Sequence, residues 1–135
     1  SKILLGQINF ELKDYKKANF YLDNGIKQIE KTSGDNYLWN ADAHYSMALV
    51  NDALGKTDNA TQNFDKSESL YNLALEGSYD EMYLDFIVKA SHFYARNNQK
   101  DKAINMAKKA YEYVKENQGI TINWHCIKVK KHLNC

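Results

Sequence analysis

A period of 42 or 43 residues runs through this sequence and constrains its fold more than any other feature. Small residues recur with this period at one position in each unit: Ala18, Ala60 and Ala103. Three of the six glycines recur with the same period at the unit boundaries: Gly34, Gly77 and Gly119. A repeat of this length requires stacked units, because one small helical unit cannot bury its apolar face alone.

The central stretch, from Asn40 to Glu76, shows the pattern of one unit most clearly. Trp39, which immediately precedes this stretch, shares one stripe at helical spacing with four residues inside it: Ala43, Met47, Val50 and Leu54. Gly55 then supplies a residue that readily takes the left-handed conformation that ends a helix. Helical spacing resumes after it at Ala60, Phe64, Ser67 and Tyr71. The stretch therefore predicts an antiparallel helical hairpin whose apolar stripe is buried.

The repeat predicts an all-α fold, an α-solenoid with about seven helices in a single domain over residues 1–135. Three helix-turn-helix repeats cover about 1–33, 34–76 and 77–118, and a C-terminal helix, a cap or the start of a fourth repeat, covers 119–135. The first helix is predicted to bury Leu5, Ile8 and Leu12. Ser78, with Glu81 three residues later, is predicted to cap the fifth helix. The helical pattern is already present at Ser1, so we expect the chain to be a fragment of a longer protein.

Composition excludes several classes of function. The chain has 18 basic and 17 acidic residues, a formal net charge of +1, which argues against nucleic-acid binding by this fragment. It has no 18-residue apolar run, so we expect no membrane insertion by this fragment. Its two cysteines, Cys126 and Cys135, are too few for a disulfide framework. Composition leaves the compartment undetermined, with the cytoplasm favoured over an extracytoplasmic location.

The residues at fixed repeat positions resemble the tetratricopeptide repeat family. The resemblance rests on Leu5-Gly6, Tyr15, Ala18, Leu22 and Gly25 in the first unit, on Met47-Ala48, Gly55, Ala60 and Phe64 in the second, and on Ala90-Ser91, Tyr94, Ala103 and Ala110 in the third. The usual unit of that family has 34 residues. The longer period here is similar to the long-helix variants of bacterial regulatory proteins. The chain has no proline, so glycine stands where the family usually has proline after the second helix.

Few residues suggest chemistry. His125, His132 and Cys135 would share a face of a continuous helix and offer ligands for zinc, but a structural zinc site generally needs four. We therefore predict no metal site, and this zinc alternative stays open. Cys126 and His125 are helical neighbours that point about 100° apart, too far for a nucleophile and its base. We predict no enzymatic activity and no cofactor.

The resemblance implies that the first helix of each repeat lines a concave groove that holds a peptide or a partner helix. Carried over to this sequence, the groove residues are Gln7, Phe10, Glu11, Asp42, Tyr45, Leu49, Asp52, Asp85, Val88, His92 and Arg96. Four carboxylates in this set face one arginine, and apolar side chains stand between them. The partner is therefore expected to combine basic residues with aromatic or aliphatic ones.

The predicted function is a non-catalytic scaffold that binds a protein or peptide. The resemblance implies that it is the partner-sensing module of a larger protein, of the kind found in bacterial regulators. The alternative is a structural spacer or self-association module that forms a homo-oligomer through the ends of the repeats and has no groove ligand.

Overall fold

The structure, a computed structural model, describes residues 1–32, 36–76, 78 and 80–116. These residues form six α-helices and no strand, which confirms the predicted all-α class. The helices are α1 Lys2–Glu11, α2 Tyr15–Thr32, α3 Tyr37–Ala53, α4 Thr57–Leu75, α5 Glu81–Arg96 and α6 Lys100–Glu116. The seventh helix predicted over 119–135 and the boundary glycines Gly34, Gly77 and Gly119 lie outside the described residues.

The chain divides into two compact units, Ser1–Ser78 (unit 1) and Tyr79–Cys135 (unit 2). In unit 1, α1 packs on α2 and α3 packs on α4, so each pair is a hairpin. The two hairpins stack because α2 also packs on α3. In unit 2, α5 packs on α6 as a third hairpin. The helical packing within each unit is consistent with a solenoid-like helical repeat.

Local sequence sets three of the helix ends, one of them as predicted. Asn36 caps α3, its side chain accepting a hydrogen bond from the Trp39 amide at 3.2 Å. Gly55 has φ +77°, the left-handed conformation predicted for it. The predicted cap at Ser78 is wrong. The Asp80 side chain accepts from the Tyr83 amide at 3.1 Å and caps α5, whereas the Ser78 amide donates to the Leu75 carbonyl at 2.8 Å and extends the end of α4.

Small residues lie where helices cross, as the period predicts. Ala18 and Ala60 are completely buried, and Ala103 is 7% exposed. A Cβ atom added at Gly6 in α1 would lie 2.5 Å from the Leu22 Cγ atom of α2, so α1 and α2 approach closely there. Ser67 is also fully buried, and its hydroxyl donates to the Ala41 carbonyl of α3 at 2.8 Å. Short side chains therefore set the spacing of these helix pairs.

The predicted buried stripe of α1 is wrong. Ile3 and Gly6 are the buried residues of α1, while Leu5, Ile8 and Leu12 are 44%, 47% and 72% exposed. The physical reason is that α1 contacts α2 through its Ile3 and Gly6 face. The stripe predicted from Leu5 lies on another side of the helix.

Trp39 also departs from the prediction, because it is 47% exposed although it was placed on the buried stripe of α3. The other members of that stripe are buried or half-buried. Ala43, Met47 and Val50 belong to the core of unit 1, and Leu54 packs against it. Ala43 is the first α3 residue in this core, so Trp39 lies one turn before the part of α3 that belongs to it.

Candidate protein-binding surface

The first helices of the two hairpins in unit 1 are held side by side. The Gln7 side chain of α1 donates a hydrogen bond to the Ser46 hydroxyl of α3 at 3.0 Å. Both residues are half-buried, so the bond is partly shielded from water. We use the name first-helix surface for the adjoining sides of α1 and α3 that carry Gln7, Phe10, Glu11, Leu49 and Asp52. It is the part of the predicted groove that lies within unit 1.

Four further predicted groove residues lie on these two helices with partial or full exposure. Glu11 is exposed at the last position of α1, and Leu49 and Asp52 of α3 are half-buried. Phe10 is half-buried because its ring packs against the core and lies 5.7 Å from the Tyr15 ring, centroid to centroid. The surface therefore combines carboxylates with partly covered apolar side chains.

Two residues predicted for the groove are engaged inside the second hairpin instead. Tyr45 is 3% exposed, and its ring lies 6.4 Å from that of Phe64 in α4, so it offers no accessible anchor to a partner. Asp42 is half-buried, and the Tyr71 hydroxyl of α4 donates a hydrogen bond to its carboxylate. Both side chains thus join α3 to α4. Contrary to the prediction, Tyr45 therefore does not belong to the exposed surface of the groove.

The remaining predicted groove residues belong to α5 in unit 2. All four, Asp85, Val88, His92 and Arg96, are exposed, and their spacing of three, four and four places them on one face of the helix. The opposite face of α5 is buried and apolar. It consists of Tyr83, Phe86, Ile87, Ala90, Phe93 and Tyr94. The predicted α5 residues therefore share one exposed surface, which we call the α5 face.

A polar pocket of about 570 Å³ lies in unit 1 between α2, α3 and α4. Five of its lining residues carry side-chain amides, and Lys56 and Lys66 add positive charge beside Asp23. The lining residues are Asn19, Asp23, Ile26, His44, Met47, Asn51, Lys56, Asn59, Gln62, Asn63 and Lys66. This pocket was not predicted from the sequence. A usable signal was present, because Asn59, Asn63 and Lys66 recur at helical spacing on α4.

His44 forms part of the wall of this pocket. The Asn63 side chain donates to the Asn59 carbonyl at 2.8 Å, so its oxygen accepts from the His44 Nδ1–H at 3.3 Å. The Nε2 atom is buried without a hydrogen-bond partner among the described residues. Burial lowers the pKa of His44 below its ordinary value, and the positive charge of Lys66 lowers it further. Asn63 and Glu30 oppose this shift, but the net direction is downward.

This lowered pKa predicts a pH-dependent stability. In the unfolded chain His44 titrates near pH 6.5, whereas in the folded chain it resists protonation to lower pH. Between these two pKa values the unfolded state binds more protons, so the free energy of unfolding decreases as the pH falls below about 6.5. We expect His44→Gln to remove this component. The check is urea denaturation of the wild type and of His44→Gln from about pH 7.5 to about pH 5, in which the variant should show a smaller decrease in the free energy of unfolding.

The residues that the structure describes lack two further kinds of feature, a metal site and a membrane-spanning helix. Among these residues, no group of three or more histidines, cysteines, aspartates and glutamates is placed to hold a metal ion. His125, His132 and Cys135, the residues of the zinc alternative, lie outside the described residues. None of the described helices is both long enough and apolar enough to cross a membrane.

Comparison with known proteins finds no matching family model, no matching curated protein and no matching solved structure. The resemblance to tetratricopeptide repeats therefore stays a prediction based on the residues at the repeat positions.

Proposed function

We propose that this chain is a non-catalytic module that binds a protein or peptide, built of repeats similar to tetratricopeptide repeats. It binds through the exposed side chains of its first helices and acts as the partner-sensing part of a larger regulatory protein. The observation that carries the proposal is the Gln7 to Ser46 hydrogen bond. It fixes α1 beside α3, so two first helices present one continuous surface.

The chemistry of the first-helix surface indicates the kind of partner. Glu11 and Asp52 supply negative charge, while Phe10 and Leu49 are only partly covered and keep apolar area available. A surface of this kind suits a segment that combines lysine or arginine with aliphatic or aromatic residues. Charge then accelerates the encounter, and burial of the apolar side chains slows dissociation.

The proposal is tested with peptides selected for binding to the 135-residue chain from a random display library. We expect the selected peptides to be basic and apolar. Glu11→Gln combined with Asp52→Asn should lower the association rate at low salt by about tenfold and flatten its salt dependence, because long-range attraction is lost. Leu49→Ala should instead raise the dissociation rate by about tenfold, the loss expected for a partly buried apolar anchor.

The matched controls are Glu30→Gln in α2 and Glu112→Gln in α6, which remove exposed carboxylates from second helices. They should leave both rate constants near the wild-type values. Selected peptides that bind all variants with unchanged rates would show that the first helices are not the binding surface. Asp42 is unsuitable for this test, because its carboxylate accepts the Tyr71 hydrogen bond inside the hairpin.

The second candidate function is the spacer or self-association module. One observation favours it, the exposed apolar stripe of α1 formed by Leu5, Ile8 and Leu12. Sedimentation velocity over a range of chain concentrations separates the two functions. A dimer that dissociates in an Ile8→Lys variant supports self-association, and a monomer at all concentrations supports the binding module.

A further inference from the structure

The polar pocket of unit 1 has buried polar side chains in its floor that the protein itself does not satisfy. Asn51 of α3 lines the pocket and is only 5% exposed. Its side-chain amide forms no hydrogen bond with another residue of the described part of the chain. His44 lies two turns earlier on the same helix, and its Nε2 atom also lacks a partner there. Burial of polar groups without hydrogen bonds lowers stability, so these two positions need an explanation other than folding.

The repeat indicates that the fold does not require polar side chains at these two positions. A shift of 43 residues places His44 on Ile87 and Asn51 on Tyr94 of α5. Both α5 residues are completely buried, one as an aliphatic side chain and the other as an aromatic ring. A first helix of this repeat therefore packs well with large apolar groups there. The polar floor of unit 1 indicates a ligand that supplies the hydrogen bonds.

The α4 wall of the pocket adds positive charge to this floor. Lys56 and Lys66 lie ten residues apart on this wall, about 15 Å along the helix axis. Asp23 of α2 is the one carboxylate among the described lining residues, and the Lys27 Nζ atom lies 2.9 Å from its oxygen. The pocket is therefore positively charged. Its volume of about 570 Å³ is in the range of small-molecule sites.

These features define the chemistry of the ligand. A side-chain amide both donates and accepts hydrogen bonds, as a hydroxyl group does, so hydroxyl groups suit Asn51 and the amides of Asn59 and Gln62. A lysine ammonium binds phosphate as a point charge. Ile26 and Met47 also line the pocket and offer apolar area to the C–H groups of a sugar ring. An apolar ligand would leave the amides unpaired, and the lysines would repel a cation.

We propose that this pocket binds a sugar phosphate, whose hydroxyl groups bond to Asn51 and the neighbouring amides while the lysines of the α4 wall attract its phosphate. The site goes beyond the proposed function, because it shares no residue with the first-helix surface or the α5 face. Its lining residues all belong to α2, α3, α4 and the cap of α4, so the site lies within one compact unit.

The probes are glucose 6-phosphate and ribose 5-phosphate, titrated into the 135-residue chain and followed by isothermal titration calorimetry. Glucose, ribose and inorganic phosphate are the matched ligand controls. We expect at least one sugar phosphate to bind at least about tenfold more tightly than each control, since only it engages both the amides and the lysines. In the same complex the pKa of His44, measured by NMR, should rise, because phosphate offsets the positive charge of Lys66 that lowers it.

Two substitutions in the pocket test the proposed contacts. Asn51→Leu should weaken binding of the sugar phosphate by at least about tenfold, and Lys66→Gln by a similar factor. The Asn51→Leu chain should fold, since the equivalent position in α5 holds a buried aromatic ring, and circular dichroism checks its helix content. The matched control is Lys17→Gln, which removes an exposed lysine of α2 that does not line the pocket and should bind as the wild type does.

Three results would overturn the proposal. Equal affinity for inorganic phosphate and for the sugar phosphates would show that the lysines bind an ion without the floor of the pocket. Absence of binding by both sugar phosphates would exclude the ligand class. Unchanged binding by Asn51→Leu would place the ligand elsewhere on the chain. None of these results bears on the proposed function, which is tested with peptides and with Leu49→Ala.

Discussion

Replacement of Phe64 by alanine is expected to lower the free energy of unfolding of unit 1 by about 3–5 kcal/mol. Phe64 is 1% exposed, and its ring packs beside that of Tyr45 between α3 and α4. The loss combines the transfer free energy of the ring with the cavity that remains, because a rigid helix pair closes around it only partly. This amount is a large part of the total stability of a small domain.

The measurement is urea denaturation followed by circular dichroism, with Phe20→Ala as the matched control. Phe20 is the same residue type in a helix of the same unit, but it is 62% exposed. Its replacement should change the free energy of unfolding by less than about 0.5 kcal/mol. Similar losses in the two variants would contradict the packing described for α3 and α4.

The helices were predictable because their signals are local. Three features indicate where helices run and end without knowledge of distant contacts. They are the helical spacing of apolar residues, the left-handed glycine at Gly55 and the small residues at the crossings. Local signals gave the wrong cap for α5, since Ser78 and Asp80 both have side chains suited to capping. The Tyr113 hydroxyl of α6 accepts a hydrogen bond from the Asp80 amide at 2.5 Å. A contact between residues so far apart in sequence has no local signal.

Burial on α1 and the position of Tyr45 were not predictable from the repeat register. The register relates positions in different repeats, but the burial of each position depends on which described helices pack against it. Met47 has such a neighbour in α2, whereas its equivalent Leu5 is exposed. Tyr45 was assigned to the groove by register, yet its ring contacts Phe64 of the partner helix in the hairpin. A long aromatic side chain on the border between two faces can turn toward either one.

The candidate sites differ in how far the sequence could specify them. The α5 face was predictable, because four residues at helical spacing stay exposed when the apolar side of the same helix is buried. The polar pocket was not, since it needs side chains from three helices, with His44 and Asn63 joined across α3 and α4.

Substitution of Ala60 by leucine is expected to lower the free energy of unfolding by about 1–3 kcal/mol, and it tests the repeat register directly. Ala60 is completely buried in α4 at a position that the period relates to Ala18 and Ala103. A leucine there must push α4 away from its neighbour or adopt a strained rotamer, because a close-packed crossing has no free volume.

Urea denaturation gives the measurement, and Ala53→Leu is the matched control because Ala53 is exposed at the end of α3. The control should be within about 0.5 kcal/mol of the wild type. An Ala60→Leu chain as stable as the wild type would show that helix spacing in unit 1 does not depend on this small residue, and the repeat register would lose its main physical support.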